Sequence, residues 1–173
     1  LYFVIITFYF QRMFRIIQGD VGCGKTIVSL LSIINVIKSG YQCAFMGPTE
    51  ILAKQHYVLA KKIFQNDNFK IEFLSGKTEF KNKKNILNNL ENGKVELLIG
   101  THALFQKKIR FKKLGLVVID EQHKFGVKQR SDLAIKGGDE CDVLLMSATP
   151  IPRTMMMSIY GDMDISKINE KPL

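Results

Sequence analysis

The sequence predicts an α/β domain: a mostly parallel central sheet with helices on both faces. Three observations carry that expectation. Short, continuously apolar runs alternate with helix-like segments from Phe14 onward, as strands do when crossover helices bury both faces of a sheet. The first run leads into a glycine-rich loop, Gly19 to Thr26, and then into a helix. A later run ends on adjacent carboxylates, Asp120 and Glu121, and open α/β sheets bind ligands at the carboxyl ends of their strands.

The elements follow in order. Phe14 to Gln18 reads as a strand, and a helix follows from Lys25 to Ser39. Ile27, Val28, Leu30, Leu31, Ile33, Ile34, Val36 and Ile37 make that helix apolar almost all round, so it is expected to be buried. Gly40 stands where a helix C-terminal glycine belongs. Gln42 to Met46 is the next strand, followed by Gly47-Pro48-Thr49 and a helix from Glu50 to Phe64. Lys70 to Leu74 reads as a strand and Glu79 to Leu90 as a helix, closed by Glu91-Asn92-Gly93. Val95 to Ile99, Leu114 to Ile119 and Val143 to Met146 are three more strands of buried character. There is no internal repeat and no low-complexity segment.

A length of 173 residues fits one domain, and chains of this size bury roughly 70% of their unfolded surface. Hydrophobic residues at 46% and charged residues at 24% exclude a disordered polymer or a collagen-like repeat. A mean hydropathy of +0.04 is too low for a multi-span membrane protein. Lys plus Arg outnumber Asp plus Glu by 25 to 16, a net charge of +9. That balance suits nucleic acid, phosphate or an anionic membrane surface, and equally a lysine-rich solvated face. The run Lys107 to Lys113, KKIRFKK, reads as a solvated turn or as a phosphate contact. Cys23, Cys43 and Cys141, without a CxxC pair, argue against a disulfide framework or structural zinc and fit a reducing cytosol.

The apolar start, LYFVIITFYF, is shorter than the roughly 20 residues a spanning helix needs. It lacks the basic start and small-residue cleavage site of a signal peptide. It reads as a buried strand or a damaged terminus. With the polar INEKPL at the other end, it leads to the expectation of a fragment.

Gly19-Asp20-Val21-Gly22-Cys23-Gly24-Lys25-Thr26 satisfies the phosphate-loop pattern G-x-x-x-x-G-K-[ST] in a strand–loop–helix setting. Glycines let successive backbone N–H groups curl around phosphate oxygens, and the helix N-terminus adds partial positive charge. Lys25 is expected to reach the β- and γ-phosphates, and the Thr26 hydroxyl to ligate Mg²⁺. Cys23 is either a small filler or a thiol activated by the helix N-terminus and the neighbouring lysine, in which case its alkylation blocks ATP binding. Asp120 is the expected Mg²⁺ partner through water, and Glu121 the residue that orients and deprotonates an attacking water. The plainer alternative is an acidic pair that merely ends a strand at the surface. His123, one position further on, reads as structural or as a link from nucleotide state to another motif.

GDVGCGKT, GPTEILAKQH, IGTHALFQ, VVIDEQHKFGVKQR and SATPIPRT occur in this order. They resemble motifs I, Ia, Ib, II and III of superfamily 2 DNA helicases, and the match is close to the RecG family. The likeness covers about Arg12 to Leu173. It implies a RecA-like lobe that binds ATP and Mg²⁺ within an ATP-dependent DNA helicase. Such enzymes migrate branches and regress forks and Holliday junctions in recombination and repair. Residue by residue, it gives Lys25 and Thr26 the phosphate and Mg²⁺ contacts, and Asp120 and Glu121 the metal and water roles, with His123 beside them in the catalytic set. Gln122, Ser147, Ala148 and Thr149 fall to coupling between hydrolysis and DNA movement. Pro48, Thr49 and Glu50 in motif Ia, with Gly100, Thr101 and His102 in motif Ib, become contacts to the DNA backbone. Gln55, His56 and Arg153 are open between exposed helix residues and functional ones.

The implied partners are branched DNA and ATP, with no membrane, in a cytoplasmic monomer. The implied division is an unmatched apolar segment at 1–11, the ATP-binding lobe at 12–162, and the start of a linker at 163–173. The family's wedge domain and second motor lobe lie outside the likeness. An arginine finger from that second lobe is worth about 10³ to 10⁵ in rate, so this chain alone is expected to bind nucleotide weakly and hydrolyse it hardly at all. Two other readings stand beside this one. The motor of a transcription-repair coupling factor is similar, but it typically carries DEEH where this chain has Asp120-Glu121-Gln122-His123. A nucleotide-binding module without turnover is the other.

Overall fold

A computed structural model describes residues 13–106, 108–120, 141–149 and 163–169. The elements are β1 (Phe14–Gly19), α1 (Lys25–Lys38), β2 (Gln42–Met46), α2 (Glu50–Ile63), β3 (Ile71–Leu74), α3 (Phe80–Glu91), β4 (Leu97–Gly100), a 3₁₀ turn (His102–Phe105), β5 (Leu114–Ile119), β6 (Asp142–Ser147) and β7 (Asp164–Ile168). The strands form one sheet in the order β3-β4-β2-β5-β6-β1-β7. Every pairing in it is parallel.

Alternation within buried strands builds two cores. Cys43 and Phe45 of β2 face Leu30 and Ile33 of α1 and Ala60 of α2. Ala44 and Met46 face the other way, toward Ile86 and Leu90 of α3. Both faces of the strand are therefore dry, which is why its five residues read as one apolar run. Gln42 is the polar exception, buried and fully used. Its Nε2 donates to the carbonyls of Leu90 (2.9 Å) and Val95 (2.7 Å), and its Oε1 accepts from the N–H groups of Lys112 (2.7 Å) and Lys113 (3.0 Å). It ties the end of α3 to the basic segment before β5. That segment is anchored as well as solvated: Ile109 is buried, and the Lys113 ammonium lies 3.9 Å from the Tyr41 ring centroid.

Two expectations need correction. α1 is not buried all round, for Ile27 and Leu31 are each 43% exposed, while Ser29 and Ser32 are buried. The serines can be buried because their hydroxyls donate to the carbonyls of Lys25 and Val28, one turn back, each at 3.0 Å. The second concerns residues 163–173, read as the start of a linker. Asp164–Ile168 instead forms β7, an edge strand in register with Arg15–Gly19 of β1. The Arg15 guanidinium fixes it, donating to Ser166 Oγ (2.9 Å) and Asp164 Oδ2 (2.8 Å). Half-exposed and polar at alternate positions, an edge strand carries no buried run for the sequence to announce.

Candidate nucleotide and nucleic-acid site

Strand order decides which motifs meet. β5, β6 and β1 are neighbours, and at their carboxyl ends stand Asp120, Ser147-Ala148-Thr149 and the Gly19–Thr26 loop. Ser147 is in register with Gln18, the residue before the loop's first glycine. Its hydroxyl accepts the Thr149 N–H at 3.2 Å and lies 3.1 Å from the Thr149 hydroxyl, so motif III is folded on itself beside the loop. A cleft of about 270 Å³ opens here, lined by Gly19, Asp20, Cys23, Ala148, Lys167 and Asn169.

The loop has the form an anion requires. Gly22 and Gly24 take φ of +83° and +96°, a conformation that costs a side-chain-bearing residue about 1–2 kcal/mol. A Cβ on Gly24 would meet nothing within 4 Å, so space lies open there. Gly19 is needed for a different reason. A Cβ there would lie 2.5 Å from Cys23 Sγ and 2.9 Å from the Ile168 carbonyl oxygen. α1 begins with no side-chain cap and no acidic residue in its first turn, which leaves its amide dipoles for a ligand. Lys25 Nζ meanwhile donates to the carbonyls of Gly19 (2.6 Å) and Asp20 (2.8 Å). Val21, at the loop's tip, is 81% exposed.

Cys23 is buried, with its sulfur 3.9 Å from Lys25 Nζ. It packs against Gly19 at the end of β1. Cys43 is wholly buried, and desolvation, then the nearby Cys141 thiol, pushes its pKa well above the ordinary thiol value. It stays a neutral thiol.

Asp120 directly follows β5, and its N–H donates to the Met46 carbonyl of β2 (2.9 Å). Its Oδ2 lies 2.8 Å from Nε2 of His56, with both side chains nearly buried at 13% and 11% exposure. Asp120 is thus partly buried at its strand end and paired. His56 is accordingly no exposed helix residue. Its ring stacks on Phe45, centroids 4.6 Å apart and planes 21° from parallel. The sequence offered no signal for the pair, since the two residues stand 64 positions apart. Gln55 is exposed. Glu121, Gln122, His123 and Arg153 lie outside the described residues.

Motifs Ia and Ib occupy the other half of the sheet, at the ends of β2 and β4. Thr49 is exposed and caps α2, its Oγ1 accepting the Leu52 N–H at 3.3 Å. Pro48 is half-buried, and His102 is exposed. Gly100 and Thr101 are buried, with Gly100 packed close against the Leu74 carbonyl. A third loop, after β3, joins them: Ser75 Oγ lies 3.3 Å from Glu50 Oε1, and Lys77 Nζ 3.7 Å from Glu50 Oε2.

Mg²⁺ prefers hard oxygen donors and keeps several waters or phosphate oxygens in its shell. Thr26 and Asp120 supply donors of that kind. Among the described residues no cluster of three His, Cys, Asp or Glu is placed to hold a metal. Among the described residues, no helix is long and apolar enough to cross a membrane.

The DEAD/DEAH box helicase family profile matches residues 5–158. The ATP-dependent DNA helicase RecG of Thermotoga maritima is 51% identical over 162 residues, covering 94% of this chain and 21% of the relative. That of Aquifex aeolicus is 52% identical over 161 residues, 92% of this chain and 20% of the relative. A structure of RecG bound to a three-way DNA junction superposes with a TM-score of 0.78 at 45% identity, over 93% of this chain and 21% of that one. The chain thus spans about a fifth of the length of these relatives, and the likeness to RecG read from its motifs holds.

Proposed function

The chain belongs to the DEAD/DEAH box helicase family, and we propose that it serves as the ATP- and Mg²⁺-binding motor lobe of a cytoplasmic helicase acting on forks and Holliday junctions. The observation that supports this best is the adjacency of β5, β6 and β1. It gathers a carboxylate, a folded Ser-Ala-Thr turn and an uncapped helix N-terminus at one edge. Gly19 to Thr26 cradle the phosphates, and Lys25 exchanges its two carbonyl partners for phosphate oxygens. Thr26 and Asp120 hold Mg²⁺, which neutralises charge on the phosphates when bound. Glu121 orients and deprotonates the attacking water, with His123 beside it. Gln122, Ser147, Ala148 and Thr149 link that chemistry to DNA movement.

Branched DNA lies across the ends of β2, β4 and β3. Thr49 and His102 face its backbone, with Pro48, Glu50, Gly100 and the buried Thr101 shaping the loops that present them. The RecG of known structure is bound to a three-way junction, which supports branched DNA as the partner. The net charge of +9 supports an affinity that falls with salt.

Glu121→Gln in the full-length enzyme tests the reading. ATP binding should persist while DNA-stimulated phosphate release falls by about 10²-fold or more. Turnover at the wild-type rate would remove Glu121 from the mechanism.

A further inference from the structure

We infer that His56 is a positioning residue that couples the DNA-facing half of the sheet to the carboxylate of Asp120. The inference rests on the reading of Asp120 as the Mg²⁺ ligand.

His56 stands about two turns of helix beyond Thr49, on α2. The helix starts among the loops assigned to DNA, at the end of β2. Asp120 belongs to the other half, at the end of β5. The 2.8 Å bond between Nε2 and Oδ2 joins the two halves directly. A carboxylate that binds a metal only accepts, so on that reading Nε2 is the donor.

Three features make the bond a transmitter rather than a loose contact. Stacking on Phe45, itself wholly buried in β2, limits rotation of the ring. The Asp120 main chain is fixed by its N–H bond to Met46, so the rotamer of its carboxylate is what His56 governs. α2 packs tightly on the strand end beneath it: a Cβ on Gly47 would lie 2.9 Å from Ala53 Cα. A shift of α2 on engaging a DNA backbone is therefore carried by the imidazole to Oδ2. Outer partners of this kind orient metal-binding carboxylates, and their loss typically costs about 10- to 100-fold in metal affinity or activity.

The test uses the full-length enzyme as wild type, His56→Ala and His56→Gln. The readout is fluorescence of N-methylanthraniloyl-ADP during Mg²⁺ titration, with and without saturating branched DNA. In His56→Ala the Mg²⁺ midpoint should rise about tenfold, while metal-free nucleotide binding stays within twofold. In His56→Gln an amide N–H can replace Nε2, and most of the loss should be recovered. DNA should move the wild-type Mg²⁺ midpoint by about fivefold and leave that of His56→Ala unmoved.

An unchanged midpoint in His56→Ala overturns the inference, as does an undiminished DNA effect in that variant. So does a His56→Gln protein as impaired as His56→Ala with a wild-type melting temperature, because packing on Phe45 would then be the whole role. Should His56→Ala fail to fold, His56→Gln decides alone by the size of its DNA effect. Wild-type nucleotide binding indifferent to Mg²⁺ would instead sink the reading of Asp120 as a metal ligand.

Discussion

α1 and α2 are placed alike in the sheet and begin differently. Each is a helix of 14 residues that follows a strand of the same parallel sheet, so both point a positive dipole end at the carboxyl edge. α1 opens behind Gly24, left-handed and uncapped, with Lys25 and Thr26 as its first residues. α2 opens behind Thr49, whose hydroxyl already accepts an amide hydrogen, and places Glu50 in its first turn. The dipole of α1 is left for a ligand, while that of α2 is largely answered by its own chain. Position at the sheet edge therefore does not by itself make a phosphate site; the capping residue decides. Phosphate contacts near α2 must come from exposed side chains such as Thr49 and Lys77 rather than from a row of free amides.

The largest effect should come from removing the cation at the open helix. Lys25→Ala loses charge-assisted hydrogen bonds worth about 3 kcal/mol together. Nucleotide affinity should fall roughly 100-fold by isothermal titration calorimetry. The fold should be unaffected, because the two loop carbonyls that Lys25 now engages can turn to water. A loss below threefold would mean that α1 is no more a phosphate site than α2.

Thr49→Ala tests the closed helix and should do the opposite. Loss of the cap should cost about 1 kcal/mol of stability by chemical denaturation. Nucleotide affinity should stay as it was, since Thr49 lies at the end of β2, away from the β1 loop. A nucleotide defect without loss of stability would show that the two helix starts are not separate sites.

The contrast was only half legible in the sequence. Gly24-Lys25-Thr26 announces an open helix because glycine spacing and a following apolar helix are local properties. β2 and β5 were read with their observed bounds for the same reason: burial on both faces writes a continuous run. The exposure of Ile27 and Leu31 was hidden, because which side of α1 meets the sheet depends on distant strands, and serines can be buried when they bond one turn back. β7 was hidden by its edge position, which leaves DISKI polar. The His56–Asp120 pair was hidden most deeply, for it exists only once β2 and β5 are neighbours.

The smallest effect should come from Glu50, which the motif reading assigns to DNA. Its carboxylate is held by Ser75 and Lys77, with the Lys77 side chain 85% exposed. An exposed pair of this kind contributes little stability, so Glu50→Gln should leave folding unchanged. The amide oxygen can still accept from Ser75, but the negative charge beside the phosphate path is gone and Lys77 is released toward solvent. Affinity for labelled branched DNA, measured by fluorescence anisotropy, should rise about twofold at low ionic strength and converge with wild type near 0.5 M salt, where the Debye length is only a few ångström. Weaker binding at every salt concentration would mean that Glu50 touches DNA itself, and that α2, despite its cap, is a direct contact rather than a bracket for the lysine beside it.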